Sequence, residues 1–351
     1  MPRFSAPWLT RLKPLGRWVV VGAAIAFLLH TLIRHRAEVA TLRIAPQGWS
    51  LLLIALGITL LAHLWAGWVW SWVLQALQQP VSGAWSALTY LQTNLLKYLP
   101  GNVWHFYGRV RALKALEIDN GSAIIGVALE PLLMAAAALI LGLATPTRYW
   151  PAQLILLGLA LALLAPRHLN PLVQRLGQAK AANLPPDESF PSPPPSPSPS
   201  TQNFSSGDAT RTKLKVQNSS PTPPPPHSPT PPLPPGLSHY PLKPLLGQIG
   251  YVLLRGLGFA LVLSVVTALP AAIWPSTISA FSLAWLAGLV VPGAPGGLGV
   301  FEAIALALLQ ETLAPGAVLS GVVLYRLVNT LAEALGAALA TLEQGLSSTL
   351  K

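Results

Sequence analysis

The chain has 351 residues, of which 52% are hydrophobic and 9% charged, against about 25% charged in ordinary soluble domains. So little charge cannot cover a water-facing surface, which excludes a soluble globular enzyme. The formal net charge of +11 is carried mainly between apolar runs and not on one aromatic-rich face, which argues for orientation in an anionic membrane and against nucleic acid as a partner.

In chain order, apolar runs occupy residues 18 to 33, 50 to 70, 121 to 144, 151 to 165, 247 to 269, 276 to 291 and 316 to 342. Most approach the roughly 20 residues with which a helix crosses a bilayer. The first follows Arg3, Arg11, Lys13 and Arg17 and has no small-residue cleavage site after His30, so it reads as a retained span and not a signal peptide. The expectation is an all-α polytopic membrane protein of the cell membrane, with about six to eight transmembrane helices in two halves. The N-terminus, the segment with Lys97, Arg109, Arg111 and Lys114, and the stretch from Arg167 to Lys243 are basic, and the positive-inside rule places them, with the C-terminus, in the cytoplasm. Arg34, Arg36 and Arg43 depart from that rule in the opposite loop.

Residues 178 to 244 interrupt the pattern, because 20 of the 36 prolines lie between Pro185 and Pro244. Such a stretch cannot bury enough apolar area to offset its ordering entropy. It reads as a disordered, Pro/Ser-rich cytoplasmic linker between a first membrane half, residues 1 to 177, and a second, residues 245 to 345. A passive tether is the plainer role, and docking of a protein partner through PxxP segments is the other.

Each half contains an apolar helix broken by Pro-Gly and then resumed, YLQTNLLKYLPGNVWHFYGRVRAL in the first and FSLAWLAGLVVPGAPGGLGVFEAIALALL in the second. The flanking helices, near 85 to 99 and 102 to 116, then 276 to 291 and 300 to 313, are short for full spans. Each pair forms either two tilted spans or one re-entrant hairpin, and two hairpins would make an inverted repeat. Broken helices at corresponding positions of two halves point to a midplane substrate site. Helix restarts after Gly101 and Gly299 leave amides unsatisfied, a site for an anion such as a lipid phosphate. On the bland alternative, Pro100 and Pro292 only kink their helices. Gly293, Gly296, Gly297 and Gly299 lack the spacing and lysine of a nucleotide-binding loop, and no ATPase motif accompanies them.

Ionisable residues inside apolar runs need partners or water. Glu130 precedes Pro131 in mid-span, Glu302 sits in the first turn after the glycine elbow, and Arg326, Asn329 and Glu333 share one face of the last span, which must turn inward. Lys97 and Arg109 bracket the first elbow, where they either neutralise a phosphate or mark the interface. The candidate substrate-binding set is therefore Lys97, Pro100, Gly101, Asn102, Arg109, Glu130, Pro292, Gly296, Gly297, Gly299, Glu302, Arg326, Asn329 and Glu333. Glu302 also has a purely structural role open to it, compensation of the helix dipole. His63 and His105 read as packed or interfacial, and the 12 tryptophans as interfacial belts. No cysteine is present, which removes disulfides, thiolate zinc sites and thiol nucleophiles. No metal, cofactor or catalytic constellation is expected.

Two blocks, KYLPGNVWHFYGR at Lys97 to Arg109 with Glu130 downstream, and PGAPGGLGVFEA at Pro292 to Ala303 with Tyr325 and Arg326, resemble the lysylphosphatidylglycerol synthase transmembrane region, a flippase-like domain family. The resemblance covers roughly residues 85 to 135 and 282 to 335. It implies movement of a phospholipid or lipid-linked headgroup between leaflets, and the proline-rich insert departs from the compact domain of that family. About nine residues follow the last expected span, so no aminoacyl-transferase domain is expected and the chain is not expected to be an enzyme. A non-catalytic accessory to a glycosyltransferase or envelope-lipid pathway, and a membrane-embedded lipid-modifying enzyme using Glu302 or Glu130 as acid or base, are the alternatives.

Overall fold

The computed structural model describes residues 33, 44–99, 103–143, 145, 150–168, 170–171, 237, 239–290 and 299–349, with side chains to 346. Within them the chain is helical, and no strand occurs. The helices are α1 (Pro46–Ala76), α2 (Gly83–Asn94), which runs into a 3-10 turn over Leu95–Tyr98, α3 (Trp104–Lys114), α4 (Asn120–Gly142), α5 (Trp150–Leu163), α6 (Leu242–Val266), α7 (Trp274–Val290), α8 (Val300–Leu309) and α9 (Pro315–Thr349). Five stretches are long and apolar enough to cross a membrane: α1, α4, α6, Ala271–Val290 and Pro315–Leu346. The apolar run at 18 to 33 and the linker lie outside the described residues, Ile33 excepted.

Local signals set the ends. Ser82 accepts the amide of Trp85 at 3.2 Å and caps α2, and Asp119 accepts the amide of Ser122 at 3.0 Å and caps α4, each satisfying one orphan N–H. Helix α6 starts at Leu242, inside the stretch assigned to the linker, because Pro244 and Leu245 are already buried against the bundle.

Helix α1 packs against α6, α2 and α9, while α4 packs against α6 and α7. The α1–α6 seam is antiparallel and tight. A Cβ on Gly48 would meet Val265, one on Gly258 would meet Thr59 at 2.9 Å, and one on Gly247 would meet Val69 at 2.6 Å. Between α1 and α2, a Cβ on Gly67 would come within 2.6 Å of the Ala87 Cα. Small residues admit this close approach, which drives helix association where lipid replaces water.

The outer faces are apolar. On α9, Leu331, Leu335, Leu339, Leu342 and Leu346 are exposed at helical spacing, while Tyr325, Val328, Ala332 and Glu333 on the opposite side are buried. Inside, Phe259, Phe281, Phe301 and Tyr325 make a cluster of edge-on and tilted ring contacts at 5.4 to 6.0 Å, which ties α6, α7, α8 and α9 together. At the far edge of the first half, the Asn170 side chain donates to the Leu237 carbonyl at 3.1 Å and accepts its amide at 2.8 Å.

Candidate functional site: a charged cavity between the two halves

A cavity of about 500 Å³ lies where the 3-10 turn, α3 and α4 of the first half meet α6, α7, α8 and α9 of the second. Its volume falls in the range of small-molecule sites, roughly 300–1,000 Å³. Lys97, Arg109, Glu130, Arg255, Arg326 and Asn329 line it, together with Tyr90, Tyr98, Tyr251, Tyr325, Trp285 and Phe301.

Three ion pairs surround it. The Lys97 ammonium donates to Glu333 Oε1 at 2.5 Å, the Tyr98 hydroxyl donates to Glu333 Oε2 at 2.8 Å, and the Asn329 amide donates to Oε1 at 2.9 Å. This bond set joins the first elbow to α9 and satisfies a carboxylate whose side chain has no exposure. The Arg109 guanidinium donates to Glu130 Oε2 at 2.5 Å and to Thr93 at 3.3 Å, and lies 3.8 Å from the Tyr90 ring centre. Arg326 pairs with Glu302 at 2.7 Å.

The start of α8 is capped from within the chain. Gly299 has φ +86°, open to glycine at little cost, and its amide donates to Glu302 Oε2 at 2.8 Å. Glu302 thus occupies the start of α8 and holds Arg326, so the dipole-compensating role and the pairing role coexist in one side chain. The Gly299 amide is taken by this internal carboxylate.

No protein-family model matches the chain, and no curated protein matches it. The site is therefore read from its own geometry.

Of the residues singled out from sequence, Lys97, Arg109, Glu130, Arg326 and Asn329 line the one cavity, and Glu302 and Glu333 hold its lining cations. Gly299 lies just behind, at the head of α8. Pro100, Gly101, Asn102, Pro292, Gly296 and Gly297 lie outside the described residues. Lys97 and Arg109 each reach a carboxylate of another helix, Glu333 and Glu130, because a buried charge needs a counter-charge.

His63 is packed, but against polar groups, with Nε2 3.1 Å from Asn329 Oδ1 and 3.3 Å from Glu333 Oε1. The indoles of Trp65 and Trp70 donate to the carbonyls of Gly247 and Gly126 at 2.8 and 3.1 Å, linking α1 to α6 and α4, and Trp70 is fully buried, so it is not a belt residue.

Arg255 also lines the cavity, although it is not among the residues singled out from sequence. It lies inside the run 247 to 269, where a lone arginine is the same kind of signal that drew attention to Glu130. Its Nε donates to the Tyr325 hydroxyl at 2.7 Å and its Nη1 to the Tyr251 hydroxyl at 3.0 Å, and the residue is 6% exposed. Among the described residues no group of His, Asp and Glu could hold a metal ion.

Proposed function

We propose that this chain carries the polar headgroup of a phospholipid or lipid-linked molecule between leaflets through the cavity, as a flippase-like protein built of two inverted halves. One observation carries the reading: charged and hydroxyl-bearing side chains from both halves converge on a cavity inside helices long enough to span a membrane. Intramembrane ionisable residues are costly and mark substrate or ion pathways. The cross-half pairs Lys97–Glu333 and, within the second half, Arg326–Glu302 are contacts that a headgroup can exchange with its own charges as the halves rock. The resemblance of the two elbow blocks to the lysylphosphatidylglycerol synthase transmembrane region agrees with this reading.

The test is headgroup-resolved lipid translocation in proteoliposomes, comparing the wild type with Arg326→Ala and Glu302→Ala across aminoacylated, anionic and glycosylated lipids. The expected result is movement of one lipid class that both substitutions abolish. Folded protein that moves none of them would overturn transport and favour an accessory role.

A further inference from the structure

We propose that Arg255 is the anion-binding residue of the cavity, and that it takes the phosphate of a singly charged phosphodiester headgroup. This inference rests on the cavity being a headgroup site. It replaces Lys97, Arg109 and Arg326 as the primary phosphate contact.

The argument is one of charge balance. Among the described residues, four cations line the cavity, Lys97, Arg109, Arg255 and Arg326. Three of them are matched by carboxylates, Glu333, Glu130 and Glu302 respectively. A matched pair is neutral wherever its shared proton resides. Among the described residues Arg255 has no hydrogen-bonded carboxylate; it donates to two phenols. The cavity therefore holds one formal positive charge in excess, and protonation of His63 would only enlarge it.

The position makes that excess costly. At 1.5 Å per residue, Arg255 lies about 20 Å along the axis from Leu242 and about 17 Å from Val266, near the middle of a spanning helix. A charge there without a counter-ion is disfavoured by several kcal/mol in general, so a bound anion is the natural complement. A guanidinium has five N–H donors in one plane, suited to the paired oxygens of a phosphate. Tyr325 accepts from Nε and Tyr251 from Nη1, which fixes that plane, and the Tyr325 hydroxyl also lies 3.3 Å from the Arg255 carbonyl. The remaining donors belong to a side chain on the cavity wall.

The rest of the wall selects a lipid source. Leu289 and Val290 line the same cavity and are 38% and 65% exposed, an apolar rim along which acyl chains can leave toward the bilayer. A cavity of about 500 Å³ accommodates a headgroup, with the chains outside it.

The experiment titrates full-length protein in detergent with short-chain phosphatidylglycerol, with uncharged glucosyl diacylglycerol and with inorganic phosphate, using wild type, Arg255→Gln and Arg255→Lys. The phosphodiester lipid is expected to bind wild type, to weaken by about tenfold or more in Arg255→Gln, as loss of a charged hydrogen-bond donor implies, and to weaken less in Arg255→Lys. The glucosyl lipid is expected to show no dependence on Arg255. Binding of inorganic phosphate alone with that dependence would keep the anion site and overturn the lipid source. Equal lipid binding by wild type and folded Arg255→Gln would overturn the assignment. Should Arg255→Gln fail to fold, native mass spectrometry of wild type decides, because absence of enrichment of phosphate-bearing over phosphate-free lipids would overturn it as well. Arg255-dependent binding without translocation would sink the transport reading and leave this site standing. Translocation unchanged in Arg255→Gln would do the reverse.

Discussion

The Lys97 ammonium lies 2.5 Å from Glu333 Oε1, across 236 positions of sequence, so the turn before the first elbow is fastened to the middle of the last helix. Glu333→Gln leaves the ammonium without its counter-charge, and is expected to destabilise by about 3 kcal/mol, the lower end for breaking a buried pair. Replacing both partners, Lys97→Met with Glu333→Met, is expected to recover most of that loss. Thermal unfolding in one detergent measures both; a double variant as unstable as the single would show that the pair does not account for the effect.

Arg109 is held by shape as well as charge. Lysine at this position keeps the charge opposite Glu130 but loses the flat contact with Tyr90 at 3.8 Å and the bond to Thr93. Arg109→Lys is expected to cost about 1–2 kcal/mol, in the range of a desolvated cation–π contact. An unfolding midpoint equal to wild type would refute this.

The α1–α2 contact is limited by backbone. Because a Cβ on Gly67 would sit 2.6 Å from the Ala87 Cα, Gly67→Ala is expected to destabilise by about 1–3 kcal/mol through overpacking. Gly57, in the same helix, has nothing within 4 Å of an added Cβ, and Gly57→Ala is expected to be neutral or to stabilise by up to about 1 kcal/mol. Opposite ordering of the two midpoints would contradict the packing.

At the second elbow the constraint is conformational. Among the described residues nothing lies within 4 Å of a Cβ added at Gly299, but its φ is +86°, so Gly299→Ala is expected to cost about 1–3 kcal/mol through backbone strain. A deletion of Glu302's carboxylate by Glu302→Ala removes the contact to the Gly299 amide and to Arg326 together. Chemical denaturation of the two single variants and their combination is expected to show non-additivity, since both act on one turn.

Sequence alone located the helices well because apolar runs and capping residues act within a few positions. The run at 121 to 144 became α4 nearly unchanged, the run at 247 to 269 became α6 with a start five residues earlier, and the inward stripe of Arg326, Asn329 and Glu333 followed from helical spacing. What the stripe meets was not legible. The partner of Glu333 comes from Lys97 and that of Glu130 from Arg109, choices made by helix packing and not by local pattern. The same holds at Trp70, whose indole looks interfacial until α4 is laid against it and Gly126 offers a carbonyl. Arg255 could have been found, since a single guanidinium within a 25-residue helix of apolar character already demands an explanation.

The clasp between Asn170 and Leu237 has a consequence for chain continuity. Two residues 67 positions apart exchange two hydrogen bonds, which holds the end of the first half beside the start of the second. No contact within the described bundle depends on the covalent path between them. Fragment complementation is therefore expected: two polypeptides, one ending and the other beginning within residues 178 to 232, co-purify as one complex when produced together. The assembly information then resides in the helix faces, and the gene could be split there, or the intervening segment replaced by a short bridge, without loss of the cavity.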